Sequence, residues 1–185
     1  MHVRLSSSLG LPIVEKNDDH VIGIISGILI NPDSGKIEGF YAKVPGLMAS
    51  GDLFFSALDT VKWGTRVSIQ DREVLSPAND RIRLKEILED PRTVLGQKVF
   101  YENGKKLGVC KDVQFDTDKM VMTWIFPKKF FGWGMAIPAK EIKEIKKDKI
   151  IVCDPKVTKK VEEEESIDPV ETLEKIADPK IVRPG

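Results

Sequence analysis

The chain states one pattern twice, first between Leu9 and Ile69 and again between Leu95 and Val152. Leu9-Gly10 followed by apolar Ile13-Val14 returns as Leu95-Gly96 followed by Val99-Phe100. Each copy passes through a polar turn into a branched apolar run, Val21 to Ile30 in the first and Leu107 to Phe115 in the second. Acidic turns follow, Asn31-Pro32-Asp33-Ser34-Gly35 and Asp116-Thr117-Asp118, and each copy ends in a short strand, a charged turn and a last strand. A fixed internal period marks duplicated structural units. In 185 residues, a repeat of roughly 85 residues favours two compact modules, each burying only a thin core.

Strand signals dominate both copies. Val21 to Ile30 is too rich in β-branched side chains to prefer a helix. Gly23 and Gly27 sit inside it, and Gly108 recurs at the place of Gly23. Interior glycine marks a bulge or a sharp bend, so both sheets are expected to curl. Lys36 to Val44 and Met120 to Phe126 read as the antiparallel partners. Thr60 to Trp63 with Arg66 to Ile69, and Glu141 to Ile145 with Lys149 to Val152, read as the closing pairs.

Two segments differ in character. Asp80 to Glu89 carries Leu84, Ile87 and Leu88 at helical spacing and is stopped by Asp90-Pro91, which predicts a short connecting helix. From Pro155 the chain turns into a charge-segregated linker, Lys156 to Glu165, with too few apolar groups to offset its ordering entropy. Asp168-Pro169-Val170-Glu171 then has a helix-start signature. It sets Val170, Leu173, Ile176 and Ala177 on one side of a short amphipathic turn, a candidate docking motif.

Composition narrows the function classes. With 29 basic and 29 acidic residues the net charge is zero, so any attraction to nucleic acid or an anionic membrane has to be local. No apolar run has the length of a membrane span and the N-terminus lacks a secretory signal, so the expected location is cytoplasmic, without membrane insertion. Cys110 and Cys153 lack CxxC spacing and read as free thiols in a β core.

The sequence resembles a tandem of PRC-barrel domains, the β-barrel module of the photosynthetic reaction centre H subunit and of the C-terminus of the RimM ribosome-maturation family. The first copy carries the resemblance in Leu9-Gly10 with Ile13-Val14, Ile22-Gly23 with Ile28 and Ile30, and Leu58-Asp59-Thr60-Val61. The second carries it in Leu95-Gly96 with Val99, Leu107-Gly108 with Asp112-Val113 and Phe115-Asp116, and Ile137-Pro138 leading to Ile142. The first copy departs from it with Gly27 where the second has Asp112. The resemblance implies an all-β fold: two small PRC-type barrels in tandem joined by a short helix, with a flexible tail bearing a short amphipathic helix. The expected divisions are 1–78 and 92–155 for the barrels, 79–91 for the helical connector, and 156–185 for the tail, its helix near 169–177.

Candidate chemistry is sparse. His2 and His20 have no partners at ligand spacing, and Asp112, Asp116 and Asp118 lack the remaining residues of a cation loop, so turn chemistry explains them better. Gly132-Trp133-Gly134 lacks the strand-loop-helix setting of a phosphate loop. The chain therefore reads as non-enzymatic and without a cofactor, an enzyme built between the two barrels ranking last. The most suggestive stretch is Lys128-Lys129-Phe130-Phe131-Gly132-Trp133, an anchor for a protein partner or a stacking platform for RNA. The architectural alternative, favoured at this level, has Phe130 or Phe131 capping an open barrel end, with Gly51 to Phe55 in the matching place of the first copy. Across Pro127 to Lys149 seven lysines stand against three acids, interleaved in sign as on a solvated surface. Two functions follow as expectations: a non-catalytic adaptor using barrel loops and tail (Lys128, Lys129, Phe130, Phe131, Trp133, Val170, Leu173, Ile176), or an RNA- or ribosome-associated assembly factor.

Overall fold

The computed structural model describes residues 1–18, 20–46 and 52–154. The tail from 155, with its expected helix and the candidates Val170, Leu173 and Ile176, lies outside the described residues.

In chain order the elements are β1 (His2–Arg4), α1 (Leu5–Ser8), β2 (Pro12–Glu15), β3 (Val21–Ile30), β4 (Ile37–Lys43), β5 (Leu53–Ser56), β6 (Thr60–Trp63) and β7 (Val67–Ile69). Then come α2 (Lys85–Glu89), β8 (Lys98–Tyr101), β9 (Lys106–Asp116), β10 (Val121–Lys129), β11 (Gly132–Trp133), β12 (Ile137–Pro138), β13 (Ile142–Ile145) and β14 (Lys149–Val152). The protein is mostly β, in two sheets. The first has the order β5-β4-β3-β2-β7-β6. The second runs β10-β9-β8-β14-β13, with β11 and β12 both on β10 and β1 on β9. Each sheet has one parallel pair, β2 with β7 and β8 with β14, inside an otherwise antiparallel order.

The repeat is legible at the level of single atoms. The N–H groups of Gly10 and Ile25 bond the carbonyls of Ile25 and Leu11, and those of Gly96 and Cys110 bond Cys110 and Gln97 in the same way. A Cβ on Gly23 would stand 2.8 Å from the Lys43 carbonyl oxygen, and one on Gly108 2.7 Å from that of Lys128. Glycine is required there because the long strand crosses the end of its partner at a separation no side chain permits.

Neither sheet closes on itself among the described residues, which corrects the expectation of two sealed barrels. The outer edge of β5 is taken by Ser76, whose N–H and carbonyl both bond Phe54, so β5 does not meet β6. Instead the two sheets seal each other. Phe40 of β4 and Phe115 of β9, both fully buried, have ring centroids 5.7 Å apart, and Trp63 of β6 packs on both at 4.8 and 5.4 Å. The buried residues of both sheets form one continuous cluster. Backbone bonds stitch the same boundary, Ile37 N–H to the Met120 carbonyl and Met122 N–H to that of Gly35. A thin core of one repeat gains more by sharing apolar surface than by closing alone.

The connector keeps only part of the short helix expected over Asp80 to Glu89. It consists of 3₁₀ turns at Arg72–Val74, Ala78–Asp80 and Ile82–Leu84, leading into the five-residue α2. Of its apolar face only Leu84 is fully buried while Ile82 points to solvent, too little packing to hold a longer helix. After it, Arg92 is bound bidentately by Asp90 and reaches Asp33 in the β3–β4 turn at 2.6 and 2.9 Å. Cys110 lies in the core, where burial pushes its thiol up to about 12, whereas Cys153 is only half-buried.

Two predictions follow from the shared core and its clasp. Phe115→Ala lowers stability by about 3–5 kcal/mol and unfolds both sheets in one transition. Coincident melts by far-UV circular dichroism and tryptophan fluorescence check this; separate transitions would contradict mutual sealing. The hydrogen bonds from Arg92 hold the Asp33 and Asp90 carboxyls below their ordinary value of 3.8. Carboxyls with depressed values stabilise the fold above the unfolded value and lose that contribution as pH falls through the folded one. Arg92→Ala is therefore less stable than wild type near neutral pH, and the gap in urea midpoint closes on acidification below 3.8.

Candidate functional site

The β10–β11 hairpin projects from the second sheet. Lys128 pairs with Trp133 and Lys129 with Gly132, leaving Phe130-Phe131 as the loop. These two residues are 92% and 96% exposed, and their rings pack edge to face on each other at 4.8 Å. The expectation that one of them caps a barrel end is overturned. Phe54 and Phe55, offered as their counterparts, lie in β5 and are fully buried against β4. The Gly23–Lys43 and Gly108–Lys128 crossings align the copies and put exposed Pro45-Gly46 opposite Phe130-Phe131. Proline and glycine are ordinary turn residues. The described residues of this corner carry no aromatic in one copy and display two in the other.

Below the tip the surface is basic. Lys106, Lys111, Lys128, Lys129 and Phe130, with Leu107, Gly108 and Val109, line a shallow groove of about 740 Å³, to which no acidic side chain among the described residues contributes. Trp133 is half-exposed, with the Lys128 ammonium 5.6 Å from its ring centre. Met135 is exposed nearby in sequence. The structure places Lys128, Lys129, Phe130, Phe131 and Trp133 on one hairpin and adds Lys106 and Lys111 from β9.

Sequence reasoning missed what holds the hairpin's base. β1 pairs with the end of β9 in the register His2 to Asp116 and Arg4 to Gln114. Asp112, 1% exposed, accepts hydrogen bonds from the Ser6 N–H at 3.0 Å, the Ser6 hydroxyl at 2.6 Å and Arg4 Nε at 2.8 Å. The same Arg4 guanidinium lies 4.0 Å over the Phe126 ring and 5.2 Å from that of Trp133. One arginine therefore links a buried carboxylate to two aromatics at the foot of the finger. The signal was the contrast of Asp112 with Gly27, but its partners stand more than a hundred residues earlier. Asp116 is turn chemistry: its Oδ1 accepts from the Lys119 and Asp118 N–H groups, which hold its carboxyl below the usual range.

The family comparison falls on this half of the chain. Residues 88–159 match the PRC-barrel domain. The match runs from the end of α2 through β14, so the finger, the lysine groove and Asp112 belong to the PRC-barrel region. No match was found among curated proteins.

Asp112→Ala leaves Arg4 and Ser6 without their acceptor. The expected result is a loss of about 1–3 kcal/mol of stability and faster amide hydrogen exchange in residues 2–8. Unchanged exchange there would show that Asp112 does not hold the N-terminal segment.

Proposed function

We propose that this protein is a non-catalytic PRC-barrel adaptor whose recognition element is the β10–β11 hairpin. The observation that carries the reading is the nearly complete exposure of Phe130 and Phe131 at a corner that Pro45-Gly46 turns in the other copy. Apolar groups held out of a core gain free energy only on meeting another surface, and aromatic anchors supply most of the energy of small interfaces. The carboxylates the sequence singled out support the same reading, since Asp112 and Asp116 are engaged by the fold itself. We further propose that residues 9–69 are a second PRC-like copy, on the strength of the matching strand order and glycine crossings. In this reading the first copy braces the second, and the tail, through Val170, Leu173 and Ile176, supplies an additional contact for a protein partner.

The lysine groove beside Trp133 favours a second reading, an RNA- or ribosome-associated assembly factor related to the RimM C-terminal domain. It requires RNA binding whose logarithm falls with log salt by about 0.7 per neutralised phosphate.

The test is quantitative capture from native lysate with wild type, the Phe130→Ser/Phe131→Ser double variant, and a chain lacking 156–185 as baits. A species recovered by wild type falls at least about tenfold on the double variant, the consequence of losing two buried aromatics. Identical recoveries on those two baits would remove the hairpin as the recognition element. Ribonuclease treatment separates the RNA reading from direct protein contact.

A further inference from the structure

We infer that the β10–β11 finger seats the protein on an anionic lipid bilayer, an assignment that rests on the hairpin being the recognition element and names the surface it meets. Among the described residues no helix is long and apolar enough to cross a membrane. Three features of the finger match the layered chemistry of that surface.

Its tip is convex and apolar: Phe130 and Phe131 are the loop of the hairpin and touch chiefly each other. Beside it Lys128 and Lys129 on β10 with Lys106 and Lys111 on β9 form a cationic collar along the groove that Phe130 also lines, with no acid among the described groove residues. Trp133 lies in register with Lys128 and is half-exposed, at the depth where indole is favoured between headgroups and hydrocarbon. At about 3.3 Å per strand residue, the loop carrying the rings stands several ångströms beyond Lys128 along β10. That agrees with the roughly 5–10 Å insertion of interfacial anchors. Lysines at the collar then face lipid phosphates while both rings enter the acyl boundary. The zero net charge of the chain makes this attraction local.

The same details disfavour the other occupants. Phe130 and Phe131 turn edge and face toward each other, and Trp133, the ring a base would stack on, already carries Arg4 and Lys128 within 5.6 Å. A protein partner would need a deep pocket to receive two rings side by side, whereas lipid deforms around a point. The foot of the finger is pinned through Arg4 to Asp112, so little conformational freedom is lost on insertion.

The purified full chain is floated with vesicles of phosphatidylcholine containing about 30% phosphatidylserine, an anionic surface, and with phosphatidylcholine alone. Wild type floats with the anionic vesicles, is released by salt, and shows blue-shifted tryptophan emission on binding. Phe130→Ser/Phe131→Ser weakens binding at least about tenfold. Lys128→Glu/Lys129→Glu abolishes the preference for phosphatidylserine. Both variants alter exposed side chains and keep the wild-type melting profile. Failure of wild type to float at about 1 mM anionic lipid, a weak-binding limit, overturns the inference, as does flotation unchanged in both variants. Hairpin-dependent capture of a soluble protein or RNA without flotation also overturns it while leaving the adaptor reading standing. Flotation lost in both variants, with no soluble partner captured, supports the bilayer and removes the protein partner instead.

Discussion

Phe115 in β9 meets Phe40 and Trp63 of the other sheet across the middle of the molecule, and the rest of the fold depends on that contact. Each repeat has too little apolar surface to make a deep core alone, since small units bury a smaller fraction of what their unfolded chains expose. Sharing three aromatic rings removes from water what neither sheet covers by itself. The open edges follow from it: β5 is bonded to Ser76, and β6 contributes Trp63 to the joint core.

Because the core is settled between the sheets, the far corners are released from packing duty. The two copies use that freedom differently. At the corner after β4 stand Pro45-Gly46, and at the corner after β10 stand Phe130-Phe131 above a lysine groove. The N-terminal segment reinforces the second corner. Arg4 is held by Asp112, a position where the first copy has Gly27 and offers no carboxylate. The two sheets thus share a strand order, and the second carries a braced, aromatic-tipped finger at this corner.

Much of this was readable along the chain because strand formation is local. The branched run Val21 to Ile30 is β3 to the residue, and Thr60 to Trp63 and Lys149 to Val152 are β6 and β14. The repeated Leu-Gly and Gly23/Gly108 positions announced the common strand order, since a glycine at a close crossing is demanded by backbone geometry. The connector was less legible. Leu84, Ile87 and Leu88 have helical spacing, yet a run of 3₁₀ turns and one short helix forms, because helix length there depends on how much of that face a neighbour covers.

The hairpin residues were visible as composition but misjudged as architecture. Three aromatics beside two lysines carry no mark of whether the rings point inward or outward; that is set by register. Pairing Lys128 with Trp133 forces the two phenylalanines into the loop and out of reach of any core. Asp112 was likewise visible only as a departure between copies, its partners Arg4 and Ser6 being brought to it by β1 lying along β9. Periodicity and glycine spacing therefore established strands, turns and the recurring strand order, which rest on forces between near neighbours. The open sheets, their joint aromatic core and the outward finger were decided by folding, because they rest on contacts between residues far apart in the chain, for which one-dimensional pattern carries no signal.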